Sequence, residues 1–240
     1  MRAPTDAEWI RIWEAGQDHD RAERAVRVVS ACLPDTESDV LHWPLGRRDR
    51  ALLDLYARAF SDHIDLVLGC PHCGVDLETT VPVDALLAVA EAPAEVAVEH
   101  EGARLQARPV SSADMVAVRG LAPHEARRRL AERVLLHGQR DGEPVTVDDL
   151  TDATMSAVAA GLEQADPLAE VRMTLVCYDC GGEMSHVLEV VDHVWAAGLR
   201  RAQSAMRDVH VLASHYHWDE DTILGMSDSR RAHYLQMVGG

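Results

Sequence analysis

Cys70-Pro71-His72-Cys73-Gly74 and Cys177-Tyr178-Asp179-Cys180-Gly181 are two copies of one pattern, a pair of thiols two residues apart on a turn that ends in glycine. Zinc takes four ligands in a tetrahedron, and a Cys-x-x-Cys turn can place two sulfurs on one ion. The glycine after the second cysteine permits a positive φ where the chain doubles back. The flanks match as well. Asp65 to Gly69 leads into the first turn and Val75 to Val81 leads out; Arg172 to Val176 leads into the second and Gly182 to Leu188 leads out. Each half reads strand, knuckle, strand. The expected site is one structural Zn2+ per chain on Cys70, Cys73, Cys177 and Cys180. It closes two hairpins into a small antiparallel ribbon. Four thiolates leave no open position for water or substrate. The competing reading is disulfides or free thiols, but a disulfide within Cys-x-x-Cys is strained and usually redox-active, and a thioredoxin-like motif has no matched partner.

Between Cys73 and Cys177 lie 103 residues, far more than a ribbon needs, so a folded segment is expected between the knuckles. The chain divides accordingly into an N-terminal helical region (1–62), the first half of the ribbon (63–90), an inserted α+β subdomain (91–168), the second half of the ribbon (169–190) and a C-terminal helical region (191–240). The expected fold class is α+β, mainly α-helical.

Charge narrows the function. Acids outnumber bases 40 to 23, the net charge is −17, and every fixed cation is an arginine. Nucleic-acid binders neutralise phosphates with clustered Lys and Arg, so this balance argues against a DNA- or RNA-binding ribbon. No apolar run approaches the length of a membrane span, and the first residues lack the apolar core of a signal peptide. Reduced cysteines without an export signal point to the cytoplasm. Cys32, in an apolar helical stretch, reads as a buried core thiol.

Along the chain, Thr5-Asp6-Ala7-Glu8 has the form of a capping box and starts a helix carrying Trp9, Ile10, Ile12 and Trp13. A second helix is expected from about His19 to the break at Pro34, with a loop over Asp35 to Ser38. Leu45-Gly46-Arg47-Arg48-Asp49 opens a third, whose apolar face holds Leu52, Leu53, Leu55, Tyr56 and Phe60. Arg47, Arg48 and Arg50 oppose the helix dipole unless they meet partners, so they are read either as a solvated face or as a docking patch for an acidic neighbour. Within the insert, Glu95 to Arg108 alternates around Glu101-Gly102 as a hairpin. Ser111 to Asp114 caps a short helix, and Pro123 starts a longer one that takes in Leu130, Val134, Leu135 and Leu136 and stops near Gly138. Its Arg127, Arg128, Arg129 and Arg133 are assigned to the solvated side. A further helix covers Val147 to Leu162, initiated around Thr146 or Thr151. From Val190 the chain is helical almost to its end. His210, His215 and His217 lack a matched carboxylate or cysteine and read as partly exposed polar residues.

Phosphate loops, Gly-x-Gly-x-x-Gly, His-Glu-x-x-His, Gly-x-Ser-x-Gly and the zinc-deaminase signature are all absent, and no acid–base pair stands out, so no enzyme is expected. Two stretches carry a resemblance. One runs from Leu45-Gly46-Arg47-Arg48-Asp49 through an apolar helix into Ile64 to Gly74. The other is the ending Val209 to Val238, with His215-Tyr216-His217-Trp218, an acidic turn, Ile223-Leu224 and Arg230-Arg231-Ala232-His233-Tyr234-Leu235. Together they resemble T4-type phage baseplate-hub assembly proteins and their relatives in bacterial contractile injection systems. The resemblance implies a structural or assembly-chaperone role, with other baseplate, hub or tube proteins as partners and no small-molecule substrate. Arg47, Arg48, Arg50, Trp218, Arg230, Arg231 and Tyr234 are the expected partner contacts, since arginine and aromatic side chains are favoured at interfaces. The alternative is a zinc-ribbon module that binds nucleic acid or the transcription machinery.

Overall fold

A computed structural model describes residues 1–33 and 39–239. Expectations for Pro34 and for Asp35 to Ser38 fall outside these residues. The first two helices, α1 (Asp6–Gly16) and α2 (Arg21–Cys32), both start on capping boxes, Thr5 with Glu8 and Asp20 with Glu23. In each, a side chain and a backbone amide exchange hydrogen bonds, which satisfies amides that the first turn leaves free. Helix α3 (Leu45–Ala59) follows a single 3-10 turn at Val40–His42 and buries Leu52, Leu53, Leu55 and Tyr56.

The first cysteine hairpin pairs β1 (His63–Gly69) with β2 (Asp76–Pro82) and runs into the short α4 (Val83–Leu87). The second pairs β7 (Val171–Val176) with β8 (Glu183–Leu188). Each hairpin is its own two-stranded antiparallel sheet. Their inner residues, Ile64 and Leu66 from one and Val171 and Leu188 from the other, enter the main core with Trp9, Val29, Leu53 and Val194. The long α8 (Val190–Tyr216) lies across this core; its 27 residues span about 40 Å. At its crossing with α1, each helix gives a glycine to the other's tryptophan: Trp9 lies on Gly198 and Trp195 on Gly16, with no room for a side chain at either glycine. His217, with φ 57°, ends α8 in the left-handed region, and α9 (Glu220–Leu224) and α10 (Asp228–Gly239) fold back.

Between the hairpins, β3 (Val96–His100), β4 (Ala103–Ala107), β5 (Leu135–Arg140) and β6 (Glu143–Pro144) form one antiparallel sheet in that order. Three helices accompany it: α5 (Ser112–Ala117), α6 (Pro123–Val134) and α7 (Asp152–Ala165). Its small core holds Ala103, Leu105, Ala107, Val134 and Val158. Two expectations are corrected here. Helix α6 stops at Val134, and Leu135 to Arg140 is a strand. Three successive apolar residues fit either period, and the open edge of β4 takes β5 as its partner, Ala103 opposite Arg140 and Leu105 opposite Gly138. Gly138 therefore serves as a close contact inside the sheet, against Leu105 and Val145, and does not end a helix. Of the two starts expected for the helix over Val147 to Leu162, Thr146 caps only a 3-10 turn at Val147–Asp149, and α7 begins at the other, Thr151. Among the described residues, no helix is long and apolar enough to cross a membrane.

Candidate metal centre

Both knuckles use the same local bonds. The Cys70 amide donates to the Val75 carbonyl and the Gly74 amide to the Cys70 carbonyl; the Cys177 amide donates to Gly182 and the Gly181 amide to Cys177, all at 2.8–2.9 Å. Gly74 and Gly181 have φ of 78° and 69°, the conformation for which each turn needs glycine. The knuckles also grip each other. The His72 Nε2 lies 3.0 Å from the Glu183 carbonyl, and the Tyr178 hydroxyl donates to the Asp76 carbonyl at 3.4 Å. Asp76 and Glu183 hold the same place in their hairpins, so the bonds run reciprocally. Gly182 leaves the space that the His72 ring occupies.

This grip brings together four sulfurs from two turns that have 103 residues between them. All four Sγ atoms lie within 4.8 Å of one another, with Cys70 to Cys180 and Cys73 to Cys177 at 3.7 Å. A tetrahedral ion with Zn–S bonds of about 2.3 Å would set its sulfurs about 3.8 Å apart. No two of the cysteines are joined as a disulfide in this structure. Cys70 and Cys177 are buried beside Leu77 and Met184, while Cys73 and Cys180 face outward. Backbone amides point at the sulfurs. The His72 amide, with that of Cys73, pulls the Cys70 thiol down to about 6. Against the pull of the Val75 amide, burial and the neighbouring thiols push Cys73 up to about 12. Four sulfurs this close cannot all ionise against each other, and a divalent cation among them removes the conflict. The donor set therefore fits a soft four-coordinate metal.

Compared with models of known protein families, residues 8–194 match the family described as T4 bacteriophage base plate protein. The chain belongs to that family. The match takes in both cysteine turns and the whole segment between them, and it ends before the C-terminal stretch Val209 to Val238. No curated protein and no solved structure matches the chain.

The side chains read as partner contacts in this base plate family member lie in two environments. Arg48 is buried, with Nε on Asp49 at 2.7 Å and Nη1 on the Ser112 hydroxyl at 2.9 Å. Burial pushes the Asp49 carboxyl up, against the pull of Arg48. Arg50 donates to the Leu87 carbonyl at 2.6 Å and to that of Val89, closing the free end of α4. Arg231 is buried and binds Asp6, Asp208 and Asp228. Arg47 is exposed and stacks on Trp43, and Arg230 lies over Tyr234. Trp218 stacks on Tyr216 at 4.5 Å, with Tyr234 edge-on to both rings. Arg133, assigned to the solvated side of its helix, instead meets Asp114 at 2.7 Å.

Sequence reasoning did not single out three carboxylates that organise the fold. Asp166 accepts the Gly46 amide at 3.0 Å across the N-terminus of α3, and its side chain fills the space a Cβ on Gly46 would need. Asp114 takes Arg108 and Arg133 together. Asp6 takes Arg201 and Arg231, fastening α8 and α10 to α1. An acid in the first turn of a helix is a visible signal for Asp6 and Asp114; their distant arginines carry none.

Proposed function

We propose that the chain is a structural or assembly component of a phage-type baseplate, including those of contractile injection systems, and that it works by protein–protein contact. The family match over residues 8–194 carries this reading. In it, one zinc ion on Cys70, Cys73, Cys177 and Cys180 clamps the two hairpins as a ribbon, so that residues 91–168 stand out from the body as a subdomain fixed at both ends. The zinc contributes folding free energy rather than chemistry, since four protein ligands leave no open position. Arg47, Arg230, Trp218 and Tyr234 keep surface for a partner. Arg48, Arg50 and Arg231 serve recognition through the segments they hold in place.

The test is recovery of the chain with assembled particles. Co-sedimentation with baseplate, hub or tube proteins is expected; a chain found only in the unassembled fraction at every stage, with no such partner in pull-downs, would overturn the reading. The net charge of −17 disfavours the nucleic-acid alternative, and a gel shift in low salt is expected to show no binding.

A further inference from the structure

Helices α6 and α7 both turn apolar side chains toward one open groove of about 580 Å3. Ala126 and Leu130 of α6 line one wall, Met155, Ala159 and Leu162 of α7 the other, and Met115 of α5 adds an end face while remaining 40% exposed. Across its twelve residues α6 buries only Val134, and across its fourteen α7 buries only Thr154 and Val158. Helices in a folded protein are held mainly by packing of their apolar face, and here Ala126, Leu130, Met155 and Leu162 are only partly covered while Ala159 is exposed. The alanines on both walls let a bulky side chain approach closely.

The groove is electrically polar along its length. At one end Arg127 bridges the helices, donating to the Ser156 hydroxyl at 2.7 Å and the Asp152 carbonyl at 3.2 Å. At the other end lie Glu163, Asp166 and Glu170, beside the C-terminus of α7 with its free carbonyls. Asp166 is 5% exposed, and its carboxylate accepts one hydrogen bond, from the Gly46 amide. Burial pushes its carboxyl up from the usual range, and a cation brought against it would reverse that.

We propose that this groove receives a helical segment of a different protein of the same particle, with bulky aliphatic anchors at i, i+4 and i+7 and a Lys or Arg at the end that meets Glu163, Asp166 and Glu170. The inference deepens the baseplate reading and rests on it. The apolar walls fit the helix-in-groove mode of recognition, and the acidic end selects the direction and the charge of the occupant. A second copy of this chain is the poorer occupant, because it brings the same net charge of −17 to an acidic surface. Its arginine-bearing α10 is already held by Asp6.

The experiment places a photo-crosslinking residue at Ala159 in the full chain, with a control at exposed Gln203, and maps products in assembled particles by mass spectrometry. A cross-link at 159 and not at 203, to an aliphatic segment with a Lys or Arg within one turn on another particle protein, is expected. Glu163→Arg, on the exposed rim, is expected to lower that product about tenfold, with an unchanged melting curve. A product joining two copies of this chain overturns the proposal, as does incorporation into particles without any product at 159. Absence of the chain from particles overturns the baseplate reading along with it, so the two failures are told apart by the co-sedimentation.

Discussion

Helices α3 and α6 are both arginine-rich and amphipathic, yet α3 buries Leu52, Leu53, Leu55 and Tyr56 while α6 buries Val134 alone. The difference follows from what surrounds them. Helix α3 packs against α2, α4 and α8, in the core that also holds Trp9, Ile64, Leu188 and Val194. Helix α6 is flanked by a sheet whose buried residues are two alanines and one leucine, and its other side borders an open groove. One amphipathic pattern thus produces a core helix in the body and a half-covered helix in the insert. The body is closed on itself, whereas the insert presents apolar surface outward, and the cysteine knuckles hold the two ends between which it stands.

The strongest way to break this comparison is to remove the clamp. Chelation of the metal, or Cys177→Ser, is expected to lower the melting temperature by about 10 °C or more and to unfold hairpins and insert together. One zinc per chain by elemental analysis accompanies that result; no metal and an unchanged melt would show that the thiol cluster holds nothing. Next in size is Leu53→Ala at the centre of the body, expected to cost about 2–5 kcal/mol in urea unfolding. Gly46→Ala drives a methyl group into Asp166 and is expected to cost about 1–3 kcal/mol. Its signature is faster amide exchange in α7 than in α1, because it loosens the anchor between insert and body.

Acid acts on individual buried carboxylates with opposite sign. In the insert, burial opposes but Arg108, Ser111 and Arg133 prevail, and they hold the Asp114 carboxyl well below the usual range. A carboxylate whose folded pKa is depressed stabilises the protein above its unfolded value of about 4, and that stability is lost as pH falls toward the folded value. Asp49 and Asp166 are pushed up by burial, so they take up protons in the folded state above pH ~4 and their protonation favours folding. The cluster of Arg108, Asp114 and Arg133 is therefore expected to loosen on acidification below about pH 4, followed by exchange-resolved NMR. Asp114→Asn is expected to flatten that dependence. The smallest expected effect is Leu130→Ala, under about 1 kcal/mol for the isolated chain because its side chain is only partly covered. A cost comparable to that of Leu53→Ala would mean that the groove wall is core after all.

Much of this architecture was legible in short stretches of chain. The capping boxes at Thr5 and Ser111, the turns at Gly74 and Gly181 and the apolar face of α3 depend on neighbours within about four residues, where backbone sterics and side-chain reach decide the outcome. The family resemblance and the thiol set also rest on local patterns. Leu135-Leu136 reads locally as helix but is a strand, because its neighbour is β4, more than twenty-five residues earlier in the chain, and no local rule distinguishes the two periods over so short a run. Arg48 and Arg231 looked like surface cations because charge alone says nothing about burial; Asp49, Ser112 and Asp6 make it tolerable.

By itself, then, the sequence determined where the helices start, where the knuckles turn and which four sulfurs are suited to a metal, since these are consequences of dihedral freedom and nearest-neighbour hydrogen bonding. Only the tertiary structure decided that the knuckles meet through His72 and Tyr178, that Asp166 and Asp6 tie the insert and the C-terminal helices to the body while Asp114 gathers two arginines within the insert, and that α6 and α7 leave a groove between them. Those outcomes depend on which distant groups share a low-dielectric interior, and that pairing is set by the packing of the whole chain rather than by any segment of it.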